Sequence, residues 1–153
     1  MKILVDADGC PVVDFTAAEA LRRGLECVLV CDTAHVFARP GTRTVTVSQG
    51  ADSADLALAN LAVRGDLVVT QDYGLAALCL ARGARVLSQN GLEYCDANID
   101  GLLAERHAAQ RLRAAGGRTR GPRKRTAAQN EAFCAQLRRL LDEMAGGVPA
   151  RRD

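Results

Sequence analysis

Five short apolar runs occupy the first ninety residues: Lys2 to Asp6, Glu26 to Cys31, Arg43 to Val47, Leu67 to Thr70 and Ala84 to Leu87. Most are separated by stretches of helical character. Pro11 suits the first turn of a helix that ends at Gly24, and further helices are predicted over Ala54–Val63 and Tyr73–Arg82. Gly65 and Gly83 mark helix ends. Parallel strands need crossover connections, so strand and helix in alternation imply a parallel sheet covered by helices. The Ala54–Val63 segment is apolar enough to be buried most of the way round. Aromatic residues make up only 3% of the chain against 48% hydrophobic residues, so aliphatic side chains and alanine must fill the core.

From residue 90 the pattern changes. Asn98 can cap a long helix from Ile99 to about Ala115, closed by Gly116-Gly117. A basic connector follows at 117–126, and Thr126 and Gln129 have capping-box spacing for a last helix. That helix carries Phe133, Leu137, Leu140, Leu141 and Met144 on one stripe, which should pack on the body. The expected architecture is an α/β three-layer sandwich with a mostly parallel sheet, plus C-terminal helices. With 153 residues, the chain reads as one domain over 1–145, including the connector and a packing helix at 127–144. Residues 146–153 are expected to form a flexible tail.

No apolar run approaches the roughly 20 residues that cross a bilayer, which argues against a membrane protein. The N-terminus enters a strand without a basic leader, so a cytoplasmic location is expected. The six cysteines are scattered without Cys-x-x-Cys spacing, which disfavours zinc and disulfides. Charge is uneven. Residues 1–105 hold 8 Lys/Arg against 14 Asp/Glu, a net of −6, whereas residues 106–153 hold 12 against 4, a net of +8. An acidic half joined to a basic half fits a metal site beside a surface for a polyanion.

The carboxylates fall at particular places. Asp6 and Asp8 follow the first strand, Asp52 and Asp55 open the apolar helix, and Asp72 follows the fourth strand. In a parallel sheet these loops share one edge, where ligands gather. Hard oxygen ligands without His or Cys favour Mg²⁺ or Mn²⁺, and such a cluster suits phosphoryl chemistry. Asp6, Asp8, Asp52, Asp55 and Asp72 are therefore the catalytic candidates, with Asp6, Asp52, Asp55 and Asp72 as metal ligands. Structural readings stand beside this one. Asp52 and Asp72 suit helix caps, Asp55 a helix first turn, and Asp8 a turn before Gly9. Asp6, which closes an apolar strand, is the hardest to explain structurally. Arg118, Arg120, Arg123, Lys124 and Arg125 in the connector could bind the phosphates of a nucleic acid. Cys10 reads as packing, and Gln71 and Asn90-Gly91 as cleft lining or turn. Asp14, Asp32, Asp66, Asp96 and Asp100 read as surface or cap residues, and Arg106 and His107 as a solvated helix face.

Five motifs in order carry a resemblance. Asp-Ala-Asp-x-Cys-Pro-Val at 6–12, Gly-Ala-Asp-Ser-Ala-Asp at 50–55, Thr-Gln-Asp-Tyr-Gly-Leu-Ala at 70–76, Asn-Ile-Asp at 98–100 and the basic run at 116–126 resemble the bacterial YaiI/YqxD family. The resemblance covers nearly the whole chain. That family is grouped with the PIN-like nucleases, so the resemblance implies a parallel α/β sandwich with an acidic Mg²⁺ or Mn²⁺ cleft that cuts RNA. It implies that Asp6 is the first-strand acid, Asp52 or Asp55 the acid opening a central helix, and Asp72 the acid after the fourth strand. Asp8 is a feature of the family rather than of PIN-like proteins generally. The function expected is a metal-dependent nuclease acting on RNA. Two alternatives compete with it. One is a non-catalytic RNA-binding module with a vestigial acidic cleft. The other is a haloacid-dehalogenase-type phosphatase, with Asp6 as nucleophile and Asp8 as general acid/base.

Overall fold

A computed structural model describes residues 1–32, 38–48, 53–118 and 123–147. In chain order the elements are β1 (Lys2–Asp6), α1 (Val13–Arg23), β2 (Glu26–Asp32), β3 (Thr42–Val47), α2 (Ser53–Leu61), β4 (Leu67–Val69), α3 (Tyr73–Ala81), β5 (Arg85–Leu87), β6 (Glu93–Tyr94), α4 (Asp96–Ala114) and α5 (Ala127–Ala145). The six strands form one sheet in the order β3-β2-β1-β4-β5-β6. Every pairing is parallel except that of β5 with β6.

The central strands are buried on both faces, which is why they read as continuous apolar runs. Side chains still alternate between two cores. Ile3, Val5, Cys27, Leu29, Leu67 and Val69 face one layer, where α5 contributes Phe133, Leu137, Leu140 and Leu141. Leu4, Val28, Val30, Val68 and Val86 face the other, against Leu58 of α2, Leu75 and Cys79 of α3 and Ile99 of α4. The result is the expected three-layer sandwich. The stripe on α5 packs on the body as expected, with Phe133, Leu137, Leu140 and Leu141 buried and Met144 partly buried. Its Thr126–Gln129 capping box is formed, with the Thr126 N–H donating to Gln129 Oε1 at 2.9 Å. The Gly24 cap is also formed, in the left-handed conformation that ends α1.

Four local expectations are corrected. Pro11 precedes α1 instead of starting it, because the helix begins at Val13. Asn98 lies in the first turn of α4 rather than before it. Its Oδ1 accepts the Cys95 N–H at 3.0 Å, so it stabilises the helix start from inside. The expected Ala54–Val63 helix ends at Leu61 and is not buried all round: Leu56 is 58% exposed, and Val63 just beyond the helix is 51% exposed. This helix lies on the sheet with one face outward, and composition carries no direction. Asp66, read as surface or cap, is only 1% exposed. It takes the Lys2 ammonium at 2.6 Å and the Val63 N–H at 3.0 Å, tying the α2–β4 loop to the start of the sheet.

The first and last helices are joined by charge. Glu19 accepts from Arg22 and Arg23, which hold its carboxyl down at about 2 against the opposing effect of burial. Arg23 also reaches Asp142 of α5 at 2.8 Å. No helix among the described residues is long and apolar enough to cross a membrane. The tail beyond residue 147 lies outside the described residues.

Candidate functional site

The strand order places a reversal between β1 and β4. The chain runs outward from β1 through β2 and β3, then crosses back to build β4 on the other side. At such a point the loops leaving the carboxyl ends of the two strands diverge, and a crevice opens between them. Asp6 and Asp8 leave β1 there, and Thr70, Gln71 and Asp72 leave β4.

Thr70 joins the two sides. It is 2% exposed. Its hydroxyl donates to Asp6 Oδ2 at 2.9 Å and accepts the Asp72 N–H at 3.0 Å. Asp72 in turn caps α3, with Oδ1 accepting the Leu75 N–H at 3.0 Å. Asp8 Oδ2 accepts the Asp32 N–H at 2.9 Å, which folds the acidic loop over the end of β2. The loop closes with the Cys10 N–H donating to the Ala7 carbonyl at 3.1 Å. Gly9 within it takes φ +68°, where a side chain would be strained. Asp6, Asp8, Gly9, Cys10, Val69, Thr70, Gln71 and Gln89 line a cleft of about 60 Å³. The Gln89 N–H donates to Gln71 Oε1 at 3.2 Å, linking the loops after β4 and β5.

The electrostatics are those of crowded acids. Burial pushes the Asp6 carboxyl above its ordinary value of 3.8, the Thr70 hydrogen bond opposes this, and the charges of Asp72 and Asp8 push it further up. Burial also raises the Cys10 thiol. It stays protonated at neutral pH, which fits packing and not nucleophilic attack. The Cys79 thiol, pushed up to about 12 chiefly by burial, lies within electrostatic reach of both Asp55 and Asp6.

The sequence candidates therefore divide. Asp6 and Asp8 share the cleft, and Asp72 is coupled to Asp6 through Thr70. Asp55 stands half-buried in the first turn of α2 and is not among the residues that line the cleft. Asp52 lies outside the described residues. Among the described residues no three carboxylate, imidazole or thiol side chains stand together as a ready-made metal cage. The charged donors are nevertheless carboxylate oxygens, beside a Cys10 thiol that burial keeps protonated. Mg²⁺ is ordinarily held by one or two carboxylates together with substrate phosphates, so Asp6 and Asp8 beside Asp72 fit that mode.

The basic connector divides as well. Arg118, Arg123 and Lys124 are exposed, and Arg120 lies outside the described residues. Arg125 is engaged by the body. It donates to Asn90 Oδ1 at 2.6 Å, to the Gln89 carbonyl at 2.7 Å and to Asn130 Oδ1 at 2.7 Å. It thus pins the connector to the β5–β6 turn beside the cleft. Gly91 in that turn has φ +89°, and a Cβ there would lie 2.8 Å from the Ala132 carbonyl. Asn90-Gly91 is accordingly a turn seated on α5.

Sequence reasoning missed two residues. Thr70 reads as one more β-branched strand residue, and only its position two residues before Asp72 hints otherwise. Arg106, assigned to a solvated face, reaches Asp72 Oδ1 at 3.5 Å. The Thr70 role is testable. A Thr70→Val variant removes a donor from Asp6 and strands the Asp72 N–H, and should lose about 1–3 kcal/mol of stability. The Asp6 carboxyl should titrate still higher in that variant, as followed by carboxyl NMR. An unchanged Asp6 titration would show that the bond is unimportant.

A model of the uncharacterised YaiI/YqxD family matches residues 4–143. The chain belongs to that family. Among YaiI/YqxD relatives, a UPF0178 protein of Exiguobacterium sibiricum is 54% identical over 143 residues, covering 94% of this chain and 98% of its own. One of Ruminiclostridium cellulolyticum is 51% identical over 133 residues, covering 87% of each chain. One of Clostridium acetobutylicum is 46% identical over 143 residues, covering 92% of this chain and 97% of its own. Among solved structures, a crystal structure of mutant Rae1 (YacP) from Bacillus subtilis aligns over 96% of this chain and 99% of that one. The identity there is 15% and the TM-score 0.42.

Proposed function

We propose that this YaiI/YqxD protein is a metal-dependent nuclease of PIN-like type that hydrolyses phosphodiester bonds in RNA. The observation that carries the reading is the coupling of Asp6 and Asp72 through the Thr70 hydroxyl across the β1/β4 crevice. Buried, crowded carboxylates are unfavourable in isolation and become favourable beside a cation. Asp6, Asp8 and Asp72 would hold Mg²⁺ or Mn²⁺, and Asp52 and Asp55 are the remaining carboxylate candidates. When bound, such an ion would offset charge developing on the scissile phosphate. The chain's own residues set the geometry. Thr70 fixes the Asp6 carboxylate, and the Leu75 N–H fixes that of Asp72. Gln71 has its oxygen engaged by the Gln89 N–H, so its amide nitrogen remains to donate to a phosphate oxygen. The exposed Arg118, Arg123 and Lys124, with Arg120, would hold the backbone of the nucleic acid.

The test is titration calorimetry with Mn²⁺ and Mg²⁺ on the wild type and on Asp6→Asn/Asp72→Asn, paired with cleavage of labelled RNA. Saturable binding and cleavage, both lost in the double variant, are expected. The second reading, an RNA-binding module without catalysis, draws on the lack of a three-ligand cage among the described residues. RNA binding that ignores both metal and the double substitution, with no cleavage, would replace the nuclease reading with that one.

A further inference from the structure

Helix α4 changes character along its length. Its first turns pack on the body through Ile99, Leu102 and Leu103. From Ala104 onward nearly every residue is exposed, so the second half projects from the sandwich. Arg106 sits at the change. Its Nη1 lies 3.5 Å from Asp72 Oδ1, with the arginine side chain 46% and the aspartate 31% exposed. Arg113 follows two turns later on the same face. Arg106 is therefore a cation already standing at the acid that the proposed metal site needs, and it begins a basic face that leads away from the cleft.

We infer that Arg106 is a switching substrate-binding residue: it pairs with Asp72 while the site lacks a divalent cation, and it turns to an RNA phosphate once the cation takes Asp72. Three features support this. The contact is long, single and half-exposed, so it is weak and easily exchanged. Asp72 is held independently by its cap to Leu75, so releasing Arg106 does not release Asp72. An arginine also suits a phosphate, since its planar fork matches two phosphate oxygens. This inference rests on the proposed nuclease site and adds the residue that links metal occupancy to RNA affinity.

The test uses the full chain and two probes, Mn²⁺ alone by calorimetry and a labelled oligouridylate by fluorescence anisotropy over a salt series. Removal of the competing guanidinium in Arg106→Ala should tighten Mn²⁺ binding by about threefold to fivefold, the scale of a half-exposed ion pair. The same variant should weaken oligouridylate binding in Mn²⁺ and reduce the salt slope by about 0.7, one phosphate contact. Arg106→Lys should keep most of the salt slope. Opposite shifts for the two probes support the switch. Unchanged affinities, or shifts in the same direction, overturn it while the nuclease reading stands. If the wild type binds neither probe, the nuclease reading fails and takes the switch with it. A thermal melt of each variant separates these outcomes from loss of fold.

Discussion

If the proposed nuclease reading holds, an Asp6→Asn variant is expected to lose RNA cleavage and yet melt at a higher temperature than the wild type at neutral pH without metal. The sign follows from the carboxyl. Burial, opposed by Thr70 and reinforced by Asp72 and Asp8, raises its folded pKa above the ordinary 3.8. A raised acid binds its proton more tightly when folded, so stability falls as pH rises from the unfolded value through the folded one, and stays low above it. At pH 7 the wild type carries the whole of that penalty. Asparagine carries no charge, and its side-chain oxygen can still accept the Thr70 hydroxyl. A gain on the order of 1 kcal/mol, or about 2–4 °C for a chain of this size, is expected, and it should shrink as pH falls through the Asp6 pKa. Saturating Mn²⁺ should reverse the order, because binding at a hundredfold excess over Kd stabilises the wild type alone by about 2.7 kcal/mol. Cleavage should fall by about two orders of magnitude or more, the scale of losing one charge-stabilising group. Melting curves with and without Mn²⁺, beside a cleavage assay, check all three statements. A variant that melts lower than the wild type at pH 7 without metal, or that still cuts RNA, contradicts the role given to Asp6.

What the sequence reveals and what it hides follow from the range of the interactions. Strand ends are legible because an apolar run that stops at a carboxylate is a local signal, and this located Asp6 and Asp72. The alternation of strand and helix is local too, and it carried the layers and the parallel sheet. Two-residue β6 has no period, so Glu93-Tyr94 gave no strand signal. Partner choice is not local. Asp66 finds Lys2 and Thr70 finds Asp6 across 64 residues of chain in each case. Arg125 finds Gln89 across 36. Each looked like an ordinary surface, strand or connector residue until the fold brought its partner. The same limit explains Arg106: a helix face that is solvated along its length meets the site only at the one turn where α4 passes Asp72.

Arg85→Met is the substitution expected to damage the fold most. Arg85 opens β5 at 3% exposure, and Glu93 of β6 is 8% exposed. The guanidinium donates to Glu93 Oε1 at 2.9 Å and to Glu143 Oε2 of α5 at 2.8 Å. One side chain thus ties the last two strands to the last helix. Methionine fills much of the space but leaves the Glu93 carboxylate buried without its cation. Removing one member of a buried pair typically costs about 3–5 kcal/mol, which lowers Tm by roughly 6–20 °C at this chain length. Changing both members to apolar residues, as in Arg85→Met/Glu93→Leu, should recover much of the loss, because the main penalty is the stranded charge and not the missing attraction. Thermal melts of the three proteins give the comparison directly. A single variant within about 1 kcal/mol of wild type would mean that Glu93 reaches water and that the pair is not the tether described. The effect on function should be indirect. The β5–β6 turn that brings Gln89 to the cleft is also held by Ser88 and Arg125. At temperatures where Arg85→Met remains folded it should therefore bind Mn²⁺ as the wild type does, whereas Asp6→Asn should not. Loss of stability with metal binding kept, against loss of metal binding with stability kept, thus separates residues that hold the sandwich together from those proposed to hold the metal.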